Sequence, residues 1–180
     1  MRFLSPRRVA QLEAFDRWTD NAMEPLRGNP VADRMFYTAS AVGDHGLLWM
    51  GVALIRSLIT RDRFRGFLVL SVVLAVESIL VNGVIKSIFR RQRPDWDQDR
   101  PMHLRKPLTS SFPSGHAASA FCCAALLADG SRLGPIYYVA AAIVALSRVH
   151  VRIHHGSDVA AGIITGWAMG VVARHLAPLG

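Results

Sequence analysis

The sequence has only two cysteines, Cys122 and Cys123, which are adjacent in an apolar run. Such a pair cannot build the disulfide framework of a small secreted domain or supply the four ligands of a structural zinc site. We interpret both as packing residues. The N-terminus also lacks the continuous apolar core of a signal peptide, so we expect the chain's own first spans to target it.

Acidic residues are few relative to basic ones. The 13 Asp and Glu against 21 Lys and Arg give a formal charge of +8 and a pI near 10.7. This balance would suit a nucleic-acid binder, but the basic residues flank apolar segments and do not form a stripe with interleaved aromatics. That placement is typical of a protein facing anionic lipid head groups. We therefore expect a membrane partner and no nucleic acid.

Apolar residues are abundant, at 51% of the 180 residues, with a mean hydropathy of +0.25. A helix needs about 20 apolar residues to cross a bilayer. Five stretches are candidate spans: 36–59, 66–89, 115–128, 134–147 and 158–176. Only the second is a strong candidate alone, and the short third and fourth could equally be helices of a soluble bundle. Polar motif residues beside them can complete a span if they line a wet pocket.

These stretches predict an all-α fold, a polytopic bundle of about five transmembrane helices in the cell (plasma) membrane. We expect one domain over 1–180, with a helical core over 35–180 and an amphipathic segment over 1–34. In that segment, residues 9–26 place apolar and charged side chains at an approximate helical period. This favours a helix lying on the membrane surface, and the alternative is an amphipathic helix on a soluble domain.

Gly162, Gly166 and Gly170 recur every four residues in the fifth stretch, so they lie along one helical face. Such a face allows close approach of a neighbouring helix. We favour a neighbour within the chain, while a homo-oligomer through the same glycines is the alternative.

Glu77 and Asn82 lie in the strongest candidate span. An ionisable group at membrane depth is a functional candidate by default. A hydrogen bond between helices is an equal alternative for Glu77, because no partner can be named from the sequence.

Three segments carry residues suited to phosphate chemistry. The first contains Lys86, Arg93 and Pro94. Seven residues are about two helical turns, so both cations can face one way before the proline ends the helix. Paired cations can clamp a phosphate, although Lys and Arg at the end of a span are more often anchors that reach the membrane surface.

The second segment is Pro113-Ser114-Gly115-His116, directly before the third apolar stretch. Its small residues leave backbone N–H groups at a helix N-terminus open to an anion, and the helix dipole is positive there. His116 titrates near neutral pH and can donate a proton. A Pro-Ser-Gly turn is also ordinary helix-start chemistry.

The third segment contains Arg148, His154 and Asp158. Residues 154 and 158 are four apart and can meet on one helical face, where the carboxylate would fix the imidazole tautomer and leave the other nitrogen nucleophilic. A metal site is the competing interpretation, with His150, His154, His155 and Asp158 as ligands. The surrounding cations favour an oxyanion instead, and we treat His150 and His155 as wall or surface residues.

The three segments have the order Lys-x6-Arg-Pro, Pro-Ser-Gly-His and Ser-Arg-x5-His-x3-Asp over residues 86–158. In every motif position the chain resembles the type 2 phosphatidic acid phosphatase (PAP2) superfamily, which includes membrane lipid phosphatases, glucose-6-phosphatase and vanadium haloperoxidases. A soluble haloperoxidase is disfavoured by the short, apolar chain. The resemblance implies a PAP2/haloperoxidase-like helical core and a hydrolase that needs no metal or other cofactor.

The resemblance also implies roles. His154 attacks phosphorus to form a phosphohistidine, Asp158 orients and charges His154, and His116 protonates the leaving group before activating water. The phosphoryl oxygens are held by the following set: Lys86, Arg93, Arg148, Ser114 and the Gly115 amide.

Several alternatives stay open. The favoured substrate is a polyprenyl phosphate, diphosphate or prenyl-phosphoryl sugar phosphate, and phosphatidylglycerophosphate or phosphatidic acid is the alternative. A transporter or scaffold that keeps a phosphate pocket is the non-enzymatic alternative. Loop 95–112 could contact the substrate or be a solvated loop, and the charge distribution does not decide which side of the membrane the site faces.

Overall fold

The computed structural model describes residues 5–60, 64–94, 101–102, 104 and 109–179, and within them every regular element is helical. Most of loop 95–112 therefore lies outside the described residues. The helices are α1 (Pro6–Met23), α2 (Pro30–Val42), α3 (Leu47–Thr60), α4 (Arg65–Ile88), α5 (Gly115–Leu127), α6 (Gly134–His150) and α7 (Gly156–Leu176). The boundary expected between residues 34 and 35 falls inside α2. Pro30 opens that helix, and the Asn29 side chain caps it by accepting from the Val31 and Ala32 amides.

Helix α5 is the centre of the bundle, and most of its side chains are buried against α6 and α7. Cys122 and Cys123 are among them, 0% and 1% exposed and unbridged, which confirms them as packing residues. A helix enclosed by protein does not have to match the bilayer thickness. This explains how the third apolar stretch can be only 13 residues of helix.

The glycine face of α7 packs on α5 within the same chain. A Cβ atom added at Gly162, Gly166 or Gly170 would collide with the backbone of Ser114, Ala118 or Cys122 respectively. Absence of these side chains lets the two helix backbones approach closely. The intrachain neighbour favoured by the sequence is the one in the structure.

Helices α4 and α7 are long and apolar enough to cross a membrane. Stretch 36–59, expected as one span, is instead two helices: α2 and α3 meet at an angle of 75°, which makes them a broken span or a re-entrant loop. The outer faces carry exposed apolar side chains, including Ile59, Val72 and Ile164 at 76%, 63% and 68%. A surface of this composition is suited to lipid, and it supports a membrane protein.

Helix α1 contacts the bundle through Asp16, while its Glu13 and Arg17 side chains remain exposed. Asp16 is buried against α7, whereas Phe15 and Trp18 are 40% and 65% exposed. Arg27, just after α1, donates to the carbonyls of Val149 and His150 at 3.0 Å, which caps the end of α6. The N-terminal segment is thus fastened to the α6–α7 connection and keeps its aromatic side chains outward, as a surface-lying helix would.

Candidate active site

The three motif segments meet at one cavity of about 510 Å³. It is lined by Ser40, Gly43, Asp44, Gly46, Leu74, Glu77, Ser78, Asn82, Lys86, Arg93, Leu104, Thr109, Gly115, His116, Ser119, Arg148, Ile153 and His154. Six of the eight predicted site residues are in this lining. The other two, Ser114 and Asp158, are fully buried directly behind it.

Three cations converge on the cavity. Lys86 and Arg148 are 9% and 4% exposed, and Arg148 donates to the Ser40 hydroxyl. Arg93 donates to the carbonyls of Ile153 and Ser110 at 3.0 and 3.1 Å, which fixes its guanidinium at the cavity wall. Cations held this way around one cavity are suited to an oxyanion.

Lys86 and Arg93 both line the cavity, but the prediction that one helix carries both of them was wrong. Helix α4 ends at Ile88 and not at Pro94, so the two residues do not share a helical face. Arg93 instead lies in the extended segment after α4. The Ser110 hydroxyl fixes this segment, because it donates to the Phe89 carbonyl and accepts from the Arg91 amide.

His154 lies just before α7 and is 3% exposed. Its Nε2 is 3.2 Å from Arg93 Nη1, and its Nδ1 is 3.7 Å from Asp158 Oδ2 and 3.5 Å from Ser111 Oγ. Arginine only donates, so Nε2 must be the accepting nitrogen and the ring proton must be on Nδ1. This neutral tautomer presents the Nε2 lone pair to the cations.

Burial lowers the pKa of His154 to about 3, with Arg148 and Arg93 acting in the same direction and Asp158 opposing them. An imidazole in this environment is neutral at physiological pH. Neutrality is what a nitrogen nucleophile requires.

Asp158 and His154 lie close together, but they do not share a helical face. His154 precedes the helix and Asp158 is in its first turn, where its Oδ2 accepts from the His155 amide at 3.0 Å and from Ser111 Oγ at 2.5 Å. The hydroxyl of Ser111 therefore lies beside both members of the pair. The carboxylate acts on the imidazole partly through this buried serine.

Asp158 has a second, charged neighbour in Arg91. Arg91 Nη1 donates to Asp158 Oδ1 at 2.6 Å and to Ser157 Oγ at 2.7 Å, while Nη2 pairs with Asp16 of α1. Asp16 also accepts from the Ser157 amide at 2.8 Å. A buried charged chain thus runs from α1 through Arg91 to the carboxylate behind His154.

Ser114 and Gly115 form the start of α5. Ser114 Oγ accepts from the Ala117 amide at 3.4 Å, so its hydroxyl caps the helix and does not line the cavity. Its role as a phosphate ligand stays a prediction. Gly115 does line the cavity, and a Cβ there would lie 2.8 Å from Asn82 Oδ1. Glycine at this position lets the α4 side chain approach the helix N-terminus.

His116 is paired with a carboxylate that the sequence analysis did not single out. Its Nε2 lies 2.9 Å from Asp44 Oδ1, and the two side chains are 17% and 46% exposed. Asp44 is on the turn Asp44–Gly46 where α2 and α3 bend apart. Each histidine at the cavity therefore has its own aspartate, contributed by a separate element.

The two remaining histidines of the third segment do not join a metal centre. His150 is 2% exposed, and its Nε2 lies 2.8 Å from Asp33 Oδ1 of α2, so it is a buried tie between helices and not a surface residue. His155 directly precedes α7 and lines a separate cavity beside α1. Among the described ranges, no three His, Cys, Asp or Glu side chains are grouped to hold a metal ion.

The site residues missed by sequence reasoning are Asp44, Ser111, Arg91 and Asp16. Arg91 and Ser111 adjoin the motifs, but their neighbours Arg90 and Ser110 are of the same type, so composition cannot choose between them. For Asp16 the sequence offered only one signal, its position as a carboxylate on a predicted amphipathic helix that also carries Glu13 and Asp20. Asp44 had none, because it depends on the bend between α2 and α3.

Comparisons with known proteins agree with this geometry. The sequence model of the PAP2 superfamily matches residues 65–179. Decaprenylphosphoryl-5-phosphoribose phosphatase of Mycobacterium tuberculosis is 34% identical over 134 residues, which cover 74% of this chain and 73% of that protein. The enzyme of the same name from Mycolicibacterium smegmatis is 31% identical over 140 residues, covering 76% and 74%.

Two solved structures share the fold. The transmembrane PAP2-type phosphatidylglycerolphosphate phosphatase of Bacillus subtilis superposes with a TM-score of 0.72 at 21% identity, covering 96% of this chain and 87% of that one. Aquifex aeolicus LpxE superposes with a TM-score of 0.70 at 25% identity, covering 91% and 94%. Since the family match, the relatives and the fold all coincide with the three motifs around one cavity, this chain belongs to the PAP2 superfamily.

Proposed function

We propose that this protein is a multi-pass lipid phosphatase of the plasma membrane and cell envelope, acting on a prenyl-phosphoryl sugar phosphate or a related polyprenyl phosphate. The observation that carries the proposal is the neutral His154, whose Nε2 faces Arg93 at 3.2 Å while Asp158 and Ser111 flank Nδ1. The activity for which the mycobacterial relatives are named supports the substrate class. Family membership and the apolar outer faces support the membrane setting.

The reaction begins with attack of His154 Nε2 on phosphorus. A nitrogen–phosphorus bond forms as the bond from phosphorus to the leaving oxygen breaks, and His116 gives its proton to that oxygen. His116 then takes a proton from water, whose oxygen attacks the phosphohistidine and releases inorganic phosphate. Covalent catalysis of this kind divides one difficult displacement into two easier ones.

Charge on the transferred group is neutralised by Lys86, Arg93 and Arg148. Phosphoryl transfer asks chiefly for positioning and for stabilisation of negative charge spread over the oxygens. Fixed cations and the N-terminal amides of α5 supply both without reorganising during the reaction. None of these steps requires a metal ion.

Two carboxylates divide the support of the histidines. Asp158, held by Arg91 and Ser111, stabilises the positive charge that develops on His154 as it becomes phosphorylated. Asp44 stabilises the protonated form of His116 before it donates. In both arrangements a carboxylate orients a histidine, as a third group orients the base in other enzymes that use covalent catalysis.

The decisive experiment is phosphate release from purified protein in detergent, with EDTA, against a panel of lipid phosphates. The panel contains a prenyl-phosphoryl pentose phosphate, a polyprenyl diphosphate, phosphatidylglycerophosphate and phosphatidic acid. We expect EDTA-resistant turnover, fastest on the prenyl lipids, and its loss in His154→Ala. The matched control is His175→Ala, which lies in the last turn of α7, outside the cavity lining.

Turnover abolished by EDTA would revive the metal interpretation. Full activity of His154→Ala would remove this residue as the nucleophile. Binding of the lipids without turnover would favour the transporter or scaffold. A clear preference for phosphatidylglycerophosphate or phosphatidic acid would replace the proposed substrate class.

A further inference from the structure

The cavity extends from Lys86 and the histidines along α4 towards Glu77, near the middle of that helix. Glu77 is 2% exposed and lines this part of the cavity together with Ser78, Asn82 and, from α5, Ser119. Among the described residues, nothing donates a hydrogen bond to Glu77 Oε1. A buried oxygen without a hydrogen bond is destabilising, so a donor is expected to meet it in the working enzyme.

The simpler explanation makes Glu77 only a counter-ion for Lys86. The two residues do interact electrostatically. This interaction acts through space, and Oε1 accepts no hydrogen bond from Lys86 or from any other described residue. A counter-ion role therefore accounts for the charge of Glu77 but not for where the carboxylate oxygen points.

The helix itself is irregular at this place. Residues Ile79–Ile85 of α4 form a π-helical segment directly after Glu77 and Ser78. Such segments inside α-helices occur frequently at functional sites, because they re-aim side chains at a cost in stability. Here the segment places Asn82 against Gly115 at the start of α5, with its Nδ2 donating to Ser78 Oγ at 3.3 Å.

The chemistry of these groups identifies the kind of ligand. An ionised carboxylate only accepts hydrogen bonds, and so do phosphoryl oxygens, so Glu77 in its ionised form is not a ligand for the phosphate. Nine residues separate Glu77 from Lys86, which is no more than about 13 Å along a helix. A group that follows the phosphate and carries hydroxyl donors fits this distance, and Asn82, Ser78 and Ser119 offer it both donors and acceptors.

The position relative to His116 identifies which part of the substrate this is. Asn82 contacts Gly115, the neighbour of the proposed acid, and Ser119 is one turn further along the same helix. The proposed acid protonates the leaving oxygen, so the polar groups beside it face the leaving group. We propose that Glu77 and Asn82 form a subsite that binds the hydroxyl groups of a sugar leaving group next to the reacting phosphate.

This inference rests on the proposed phosphatase function and specifies its substrate. The test compares two lipids: a prenyl-phosphoryl pentose 5-phosphate, and the same lipid with both free sugar hydroxyls replaced by hydrogen. The variants are Glu77→Gln and Asn82→Ala. The control is Ser71→Ala, also on α4, whose hydroxyl donates to the Phe67 carbonyl at 2.8 Å and which is outside the cavity lining.

We expect the unsubstituted enzyme to prefer the hydroxylated lipid. Each variant should lower kcat/KM for it by about 10- to 100-fold, the equivalent of one or two hydrogen bonds, and should change that for the hydroxyl-free lipid by less than about threefold. The control should keep the full preference. Glu77 is buried and its variant could fail to fold, so Asn82→Ala, at an exposed position, carries the same test independently.

Equal losses on both lipids would overturn the subsite and leave Glu77 as the counter-ion of Lys86. An unsubstituted enzyme that hydrolyses both lipids equally well would overturn it too, with the phosphatase function intact. Release of phosphate from neither lipid would overturn the subsite, and release from no lipid of the whole panel would overturn the proposed function itself.

Discussion

His116 Nε2 lies 2.9 Å from Asp44 Oδ1, so the proposed acid is paired with a carboxylate from outside the three sequence motifs. Asp44 is on the turn between α2 and α3, and α2 also supplies Asp33 to His150 and Ser40 to Arg148. The bent pair of helices thus braces the catalytic end of α5 and α6. Its contribution to catalysis can be separated from that of the motifs.

Asp44→Asn should lower kcat/KM for an alkyl phosphate by about 10- to 100-fold, a part of the roughly 100- to 10,000-fold that one general acid contributes. For p-nitrophenyl phosphate we expect less than about threefold, because that leaving group departs without a proton and kcat/KM reports transfer to His154. Phosphate release from both substrates is the measurement, and Asp129→Asn, outside the cavity lining, is the control. A similar loss on both substrates would mean that Asp44 only maintains the structure.

Arg91→Gln should reduce both stability and turnover, because it leaves the buried Asp16 and Asp158 without their shared partner. Breaking a buried pair costs about 3–5 kcal/mol. Arg91→Lys should recover part of the stability but little of the turnover, since an ammonium cannot bridge two carboxylates as a guanidinium does. Melting temperature and initial rate are measured for each.

The neighbouring Arg90, which is exposed, supplies the matched variant Arg90→Gln. It should behave as the unsubstituted protein in both measurements. If Arg91→Lys restores turnover together with stability, then Arg91 acts through folding alone and does not position Asp158.

The stability of the protein should fall as the pH drops below about 6.5. The pKa of His154 is about 3 in the folded state, against a usual value of 6.5, because burial disfavours its charged form. Between these values the unfolded chain binds a proton that the folded protein does not, so stability is lost as pH falls. Melting temperature from pH 7 to pH 4.5 should decline less steeply in His154→Asn.

The lowered pKa of His154 also affects the pH dependence of activity. An acidic limb of the pH–rate profile near neutrality cannot come from protonation of His154, and should belong to another group. If phosphorylation of His154 in single-turnover measurements titrates near pH 6.5, the neutral buried state of the imidazole is wrong.

Gly166→Ala should destabilise the bundle. The new methyl group would collide with the Ala118 backbone, and forcing extra volume into a packed interface costs about 1–3 kcal/mol. Gly51→Ala on α3 is the control, because a Cβ there meets nothing within 4 Å. Thermal unfolding in one detergent compares them, and equal melting temperatures would show that α5 and α7 can separate at little cost.

Sequence reasoning succeeded where chemistry is concentrated in short segments. Lys86, Arg93, His116, Arg148 and His154 were predicted together and line one cavity. Their segments lie at the ends of apolar stretches, and in a bundle of spans alternate ends meet on one side. The same reasoning misjudged local geometry, since the helix expected to carry Arg93 ends five residues earlier, at Ile88.

The sequence by itself determined the helical class, the membrane setting and the motif residues, because apolar periodicity and motif spacing are local properties of the chain. Only the tertiary structure decided which residues support them. Three arrangements depend on helix bends and on contacts between segments distant in the chain: Asp44 beside His116, Arg91 between two aspartates, and Glu77 with an oxygen that no described residue hydrogen-bonds. Such contacts leave no pattern in one sequence, because the free energy that selects them comes from packing the whole bundle.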